Sequence, residues 1–347
     1  MRARQPVFTR SSVAWAAAAL LGSLAATPAS AATCTWNPAA GSWNTAASWS
    51  CGFVPGNLDM AVIAAGKAVT VSGAQPTTSV SNDGTVTITN NSSLGLAGNN
   101  TNNGVIALQS VGNFTDLTIN GLVSLAGTGS VQMSNTSANR IYGNVSTLTL
   151  GAGQSILGSG QLGAATSMAL VNNGTVAATQ ANALIINTTA GVTNNSVLRA
   201  NGGTLVLQNT NVTQGALGQL NAINGSTLQL SNASITGGSF TTAGGGAIAT
   251  AGGSTNSLSG VTNSGTLNVV NNSFVNLDGN LTNNGEVNLQ SVGNATDLVI
   301  TGARAISGTG VINLSNTTAN RVYGTGGTLT LGSGQTLQGA GAIGAGA

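Results

Sequence analysis

Apolar and polar residues alternate in short runs along most of this chain. Val86-Thr87-Ile88, Val131-Gln132-Met133, Leu148-Thr149-Leu150, Leu228-Gln229-Leu230 and Leu329-Thr330-Leu331 each place a Thr or Gln between two apolar residues. A period of two sends neighbouring side chains to opposite faces, so each run predicts a short strand with one buried and one wet face. No stretch beyond residue 31 sustains helical spacing. Turn formers punctuate the runs. An Asn-x-Gly turn precedes a strand at Gly84, Gly104, Gly174, Gly265 and Gly285, and Asn194-Asn195-Ser196 stands at a similar place one period after Gly174. Strands therefore recur every few residues and regroup roughly every 20–25.

A longer repeat contains this rhythm. Residues 80–166 recur as 261–347 at a constant offset of 181, and 34 of 61 positions are identical between 103–163 and 284–344. The second copy covers 87 of the 181 positions, so the chain is expected to be cut from a longer protein. The organisation read from this is a leader at 1–31, a distinct N-terminal segment with the first coils at 32–79, one repeat unit at 80–260 and a second at 261–347. Propeller blades need about 40–50 residues. Short strands regrouping at half that length fit an all-β parallel β-helix, a solenoid in which each coil lays its strands on the coil below. At about 22 residues per coil, the 181-residue unit is expected to make about eight coils and the exported chain about 13, or roughly 60 Å of rod. Gly and Asn are expected at the corners because both tolerate positive φ.

Composition agrees with stacking. Charged residues make up 4% of the chain, against about 25% in ordinary globular proteins. Equivalent positions in successive coils lie about 4.8 Å apart, where like charges repel and neutral amides and hydroxyls do not. There is no His, which excludes histidine triads and His-containing metal sites. Two Cys cannot build an all-Cys zinc site, and no cofactor is expected. Hydrophobic residues reach 41%, too many for a disordered chain.

Residues 1–31 read as an export signal. Arg2, Arg4 and Arg10 form a basic start, Val13 to Leu24 an apolar core, and Ala29-Ser30-Ala31 a small-residue cleavage site. The apolar run is short for a membrane span, which needs about 20 residues. Removing the leader leaves five Lys and Arg against six Asp and Glu, a net charge of −1 instead of +2. No nucleic-acid partner is expected of such a chain. Cys34 and Cys51, 17 apart in an exported chain, predict a disulfide closing a small loop, worth about 3 kcal/mol in the chain-entropy picture. Trp36, Trp43, Trp49 and Phe53 lie in the same segment, together with Pro38 and Pro55. They are read as a cap burying the open end of the solenoid, in preference to an aromatic platform for sugar.

The spacing of Trp36, Gly41, Trp43, Trp49, Gly52, Pro55 and Asp59, followed by NNG-T-[VIL] and GTG-x-[VI] repeats, resembles the opening of exported bacterial β-strand repeat proteins. These are autotransporter passengers, haemagglutinin-like adhesins and surface proteins with a C-terminal sorting signal. The resemblance covers essentially the whole chain beyond the leader. It implies a right-handed β-helix, secreted or displayed on the outer cell surface, with an adhesive role toward glycans or other cell surfaces. The C-terminal barrel or sorting helix of those families is not recognisable here.

β-helices also carry polysaccharide lyases and hydrolases, so an enzyme is the rival reading and a passive spacer the third. Glycoside hydrolysis needs two carboxyl groups about 5–9.5 Å apart, and the six acids form no D-x-D or DD cluster. No catalytic residue is assigned. Asp116 and Asp297 are equivalent in the two copies, as are Arg140 and Arg321. Each Arg follows its Asp by about one coil, so each pair is predicted to be an exposed ion pair on the solenoid wall, worth about 0–1 kcal/mol. Tyr142 and Tyr323 follow in R-[IV]-Y-G and are expected to be half-buried with their hydroxyls in water. The G-x-G strings at Gly127 and Gly151 are not nucleotide loops, since no helix follows them.

Overall fold

The computed structural model describes Ala3, residues 31–57 and residues 59–344; the expected leader lies outside these residues apart from Ala3 and Ala31. From Ala31 onward the chain forms one unit, a parallel β-solenoid of about 13 turns. Its strands fall on three walls that the chain meets in a fixed order. The first wall is a sheet of 14 strands, from Ala40–Ser42 through Val105–Gln109 to Leu329–Leu331. The remaining 23 strands form one hydrogen-bonded sheet, but their register separates two walls. The second holds 93–97, 115–120 and Asn139–Tyr142, and the third holds 98–102, 122–125 and Ser146–Leu150. They join because Ser93–Asn102 and Thr115–Ala126 each bend from the second wall to the third without a break.

The alternation reaches its expected end in the core. Val86 and Ile88, Leu148 and Leu150, and Leu228 and Leu230 are fully buried or nearly so, while Thr87, Thr149 and Gln229 face outward. Each such apolar side chain contributes about 1.5–3 kcal/mol on burial. Leu329–Leu331 forms the expected strand, yet Leu331 is 37% exposed. It lies in the last strand of the first wall among the described residues, with no coil above it to close the core.

Coils vary in length. Thr85 pairs with Val105 and Val105 in turn with Ser130, the second circuit being the longer. Register pairs carry Val105 through eight coils to Thr282 on the same wall. Its counterpart in the second copy, Glu286, lies beyond that point, on the second wall, between Thr266 and Val311. In the same way 115–120 of the second wall becomes Thr296–Thr301 on the third, and Ser146–Leu150 of the third becomes Leu329–Leu331 on the first. The expected eight coils are thus eight and a third. The second copy repeats the first with every strand moved on by one wall.

The corners hold buried amide ladders. Asn82 Nδ2 donates to Asn102 Oδ1 at 2.8 Å, and Asn102 Nδ2 to Gln154 Oε1 at 3.2 Å. Asn172, Asn194 and Gln214 repeat this higher on the same edge, at 2.8 and 3.2 Å. Asn263, Asn283 and Gln335 repeat it one edge further round, at 2.9 and 3.1 Å. Buried amides need such partners, and neutral ones stack without repulsion. The corner glycines divide: Gly73, Gly121 and Gly260 adopt the expected positive φ, at 71°, 72° and 67°, and those of the Asn-x-Gly turns do not. Asn91, Asn209, Asn224, Asn232 and Asn272 do adopt positive φ. In the Asn-x-Gly turns, however, Gly is required by the closeness of the coil below. A Cβ on Gly104 would fall 1.9 Å from the Gly84 carbonyl oxygen, and one on Gly285 would fall 2.1 Å from that of Gly265.

The core begins on Trp36, Trp43 and Trp49, all buried, packed edge-to-face with ring centroids 4.9–5.1 Å apart. Cys34 and Cys51 form a disulfide beside them. The Trp49 indole donates to the Trp43 carbonyl at 2.8 Å, Gly41 leaves room for the Trp36 ring, and the Asp59 carboxylate accepts from the Ala32 and Gly56 amides. Phe53, read from the sequence as a fourth cap residue, is 45% exposed. It follows Gly52, whose φ of 78° turns the chain away from the Trp cluster. Among the described residues no helix is long and apolar enough to cross a membrane.

Candidate functional site

Among the described residues, oppositely charged side chains meet in two places. Arg140 stands directly above Asp116 on the second wall, and Arg321 directly above Asp297 on the third. One coil separates each pair because the intervening chain makes one circuit of the solenoid. Arg140 Nε donates to Asp116 Oδ1 at 2.8 Å and Nη2 to Oδ2 at 2.7 Å. The Tyr142 hydroxyl donates to the same Oδ2 at 3.4 Å. In the second copy Arg321 Nε donates to Asp297 Oδ1 at 2.8 Å, Nη2 donates to Oδ2, and the Tyr323 hydroxyl donates to Oδ2 at 3.2 Å. A planar guanidinium meeting a carboxylate through two parallel bonds is a strong and directional arrangement.

Neither pair is as exposed as its sequence suggested. The Asp116 side chain is 13% exposed and that of Asp297 is 0% exposed. The half-buried tyrosines also turn their hydroxyls to the carboxylates. Hydrogen bonding to Asp116 raises the Arg140 pKa above its ordinary value, and Asp297 does the same for Arg321. Burial, then the neighbouring carboxylate, raises both tyrosines above the ordinary phenol value.

Sequence reasoning missed the aromatic lids of these pairs. The Arg140 guanidinium lies 3.7 Å from the centroid of the Phe114 ring and 4.8 Å from that of Tyr142. The second copy has Ala295 in place of Phe114. Below the pairs the exchange is reversed. Ser93 is the register partner of Asp116, and Phe274 that of Asp297. The aromatic has moved from beside the arginine to beneath the aspartate. The signal was present in the aligned repeats as SVGNF against SVGNA and NSS against NSF.

A loop of matching shape precedes each Asp. Asn90 Oδ1 accepts from the Val111 and Asn113 amides at 2.9 and 3.0 Å, and Asn271 Oδ1 holds the Val292 and Asn294 amides at 2.9 and 3.1 Å. Each loop thrusts a valine into solvent, Val111 at 86% and Val292 at 85% exposure. Around the corner from Phe114, Gln109, Gln132, Ser134, Asn135 and Gln180 line a concavity of about 510 Å3 floored by Met133. The Asn182 backbone amide reaches across two coils to donate to Asn135 Oδ1 at 2.8 Å.

Among the described residues no three His, Cys, Asp or Glu side chains come together. No protein-family model and no curated protein matches the chain.

Proposed function

We propose that this chain is an exported β-solenoid rod with a structural and adhesive role at the cell surface, and that it does not act by catalysis. The observation that carries this reading is the fate of its acids. The two carboxylates that the repeat singles out each accept from a guanidinium and a phenol, an arrangement that fixes adjacent coils. They also lie about eight coils apart, roughly 40 Å along the axis, where a glycosidase pair needs about 5–9.5 Å. The outward faces offer repeated Thr, Ser, Asn and Gln side chains, which suit many weak contacts to a glycan or another surface. Residues 1–31 supply the export signal on this reading, and the disulfide suits an oxidising compartment. The resemblance to autotransporter passengers and related adhesins points the same way.

The test is attachment. Cells displaying the full-length protein should adhere to polysaccharide-coated or cell-coated surfaces several-fold better than cells carrying a deletion of 80–344. Equal adherence removes the adhesive role. Any polysaccharide cleavage by the wild type that disappears in the Asp116→Asn, Asp297→Asn double variant overturns the non-catalytic reading.

A further inference from the structure

Beneath Phe114 the first copy opens a hollow of about 200 Å3, lined by Ala74, Asn91, Ser92, Ser93, Phe114 and Asp116. The Phe114 ring is 56% exposed and carries the Arg140 guanidinium 3.7 Å from its centroid. Arg140 belongs to the coil above and Asn91 to Ser93 belong to the coil below. The ring thus touches the cation of the coil above and also lines the hollow formed with the coil below. The cation holds the ring in place without filling the hollow.

The polar lining is arranged for a neutral guest. Asp116 is already charge-paired through its bidentate contact with Arg140, so it offers acceptor lone pairs without a net charge to the hollow. Among the described residues, neither the Asn91 amide nor the Ser93 hydroxyl has a hydrogen-bond partner within the protein. Asn91 is held at a fixed corner, with φ at 60°. An aromatic face beside a carboxylate acceptor and an amide and a hydroxyl free of protein partners matches a pyranose ring, which has an apolar C–H face and a rim of hydroxyls. The carboxylate of an acidic sugar has no proton to donate to the acceptor oxygens of Asp116. A hydrophobic peptide side chain would leave the amide and hydroxyl unmatched.

We propose that this hollow binds one neutral hexopyranose residue of a polysaccharide, its C–H face on Phe114 and its hydroxyls on Asn91, Ser93 and Asp116. The proposal rests on the adhesive reading and names its ligand class. The second copy is closed to such a guest, because Ala295 removes the platform and Phe274 stands where Ser93 leaves space. Among the described residues there is thus one such site, although there are two ion pairs.

Saturation-transfer NMR tests this with four neutral probes: cellohexaose, maltohexaose, mannohexaose and chitohexaose. At least one should receive saturation from the wild-type chain, concentrated on the C–H protons of one pyranose face. Phe114→Ala should weaken that binding at least tenfold, and Ser93→Phe should abolish it, with unchanged circular dichroism in both. The double variant Phe274→Ser, Ala295→Phe should raise the stoichiometry from one site to two. Failure of all four probes to bind, or binding indifferent to both Phe114→Ala and Ser93→Phe, overturns the proposal. Cell adherence by the wild type when none of the four probes binds would leave the adhesive reading standing while removing this site. Sugar binding that is lost in Ser93→Phe without any adherence by the wild type would do the reverse.

Discussion

The two copies keep the same bidentate pair and wrap it differently. In the first, Phe114 stacks on Arg140 and Ser93 leaves the underside of Asp116 open. In the second, Phe274 stands under Asp297, whose side chain has no exposure, while Arg321 is 30% exposed because Ala295 does not cover it. Each pair keeps its tyrosine on the arginine and adds one phenylalanine, on the arginine in the first copy and under the aspartate in the second. The clamp between coils is thus the invariant, and the ring decides which partner is shielded. Shielding the cation leaves a hollow lined by acceptors, whereas shielding the carboxylate leaves the anion to its arginine and tyrosine, with Arg321 its one charged partner.

The largest consequence follows from that dependence. Arg321→Ala strands a fully buried carboxylate and should cost about 3–5 kcal/mol. Arg140→Ala leaves Asp116 a path to water and should cost about 1–2 kcal/mol less. Urea unfolding of both variants measures the gap, and equal losses would break the comparison. Glycine corners should behave alike in the two copies, because the same close approach governs both. Gly104→Ala and Gly285→Ala should each cost about 1–3 kcal/mol through overpacking, checked by thermal melting. A larger loss at only one of them would show that the copies differ in more than their aromatics.

A smaller effect tests strain. Val145 adopts φ 46° with its side chain 88% exposed, where the second copy has Gly326 at φ 74°. The left-handed conformation costs a side-chain-bearing residue about 1–2 kcal/mol, and glycine's extra chain entropy returns about 0.5–1 kcal/mol of that. Val145→Gly should therefore stabilise by up to about 1 kcal/mol, read as a higher melting temperature. The smallest effect is on pH. Both tyrosines are raised above the ordinary phenol value in the folded chain. Their contribution is complete below about pH 10 and is lost as pH rises through the higher folded values. The chain has only two Tyr, so tyrosinate absorbance reports them directly. It should develop at higher pH in the folded chain than in urea, and Tyr142→Phe should halve the signal.

Much of this is legible in the sequence. The period of two marked the strands because each wall has one dry and one wet face. The spacing of Asp116 and Arg140 placed one over the other because it matches the length of a coil. The third of a turn was not legible. Coils vary in length, as the unequal steps from Thr85 to Val105 and from Val105 to Ser130 show, and an average coil length does not separate eight coils from eight and a third. Nor was the stacking of Phe114 on Arg140, since the two residues stand a full coil apart in sequence and meet only through the corner that the SVGN loop makes. Phe53 was misplaced for a related reason. Composition puts an aromatic near the Trp cluster, but the backbone at Gly52 decides whether it joins.

The fractional turn has a consequence for how such a chain can grow. A repeat copied into the gene need not close a whole circuit, because any wall accepts the strands of any other. The only requirement is that the break fall at a corner. Recombination has three permissible junctions per coil, and each such copy emerges rotated by one face. Features that start aligned are dealt out around the circumference like leaves on a stem. A rod lengthened in this way faces its surroundings from every azimuth without altering a single strand.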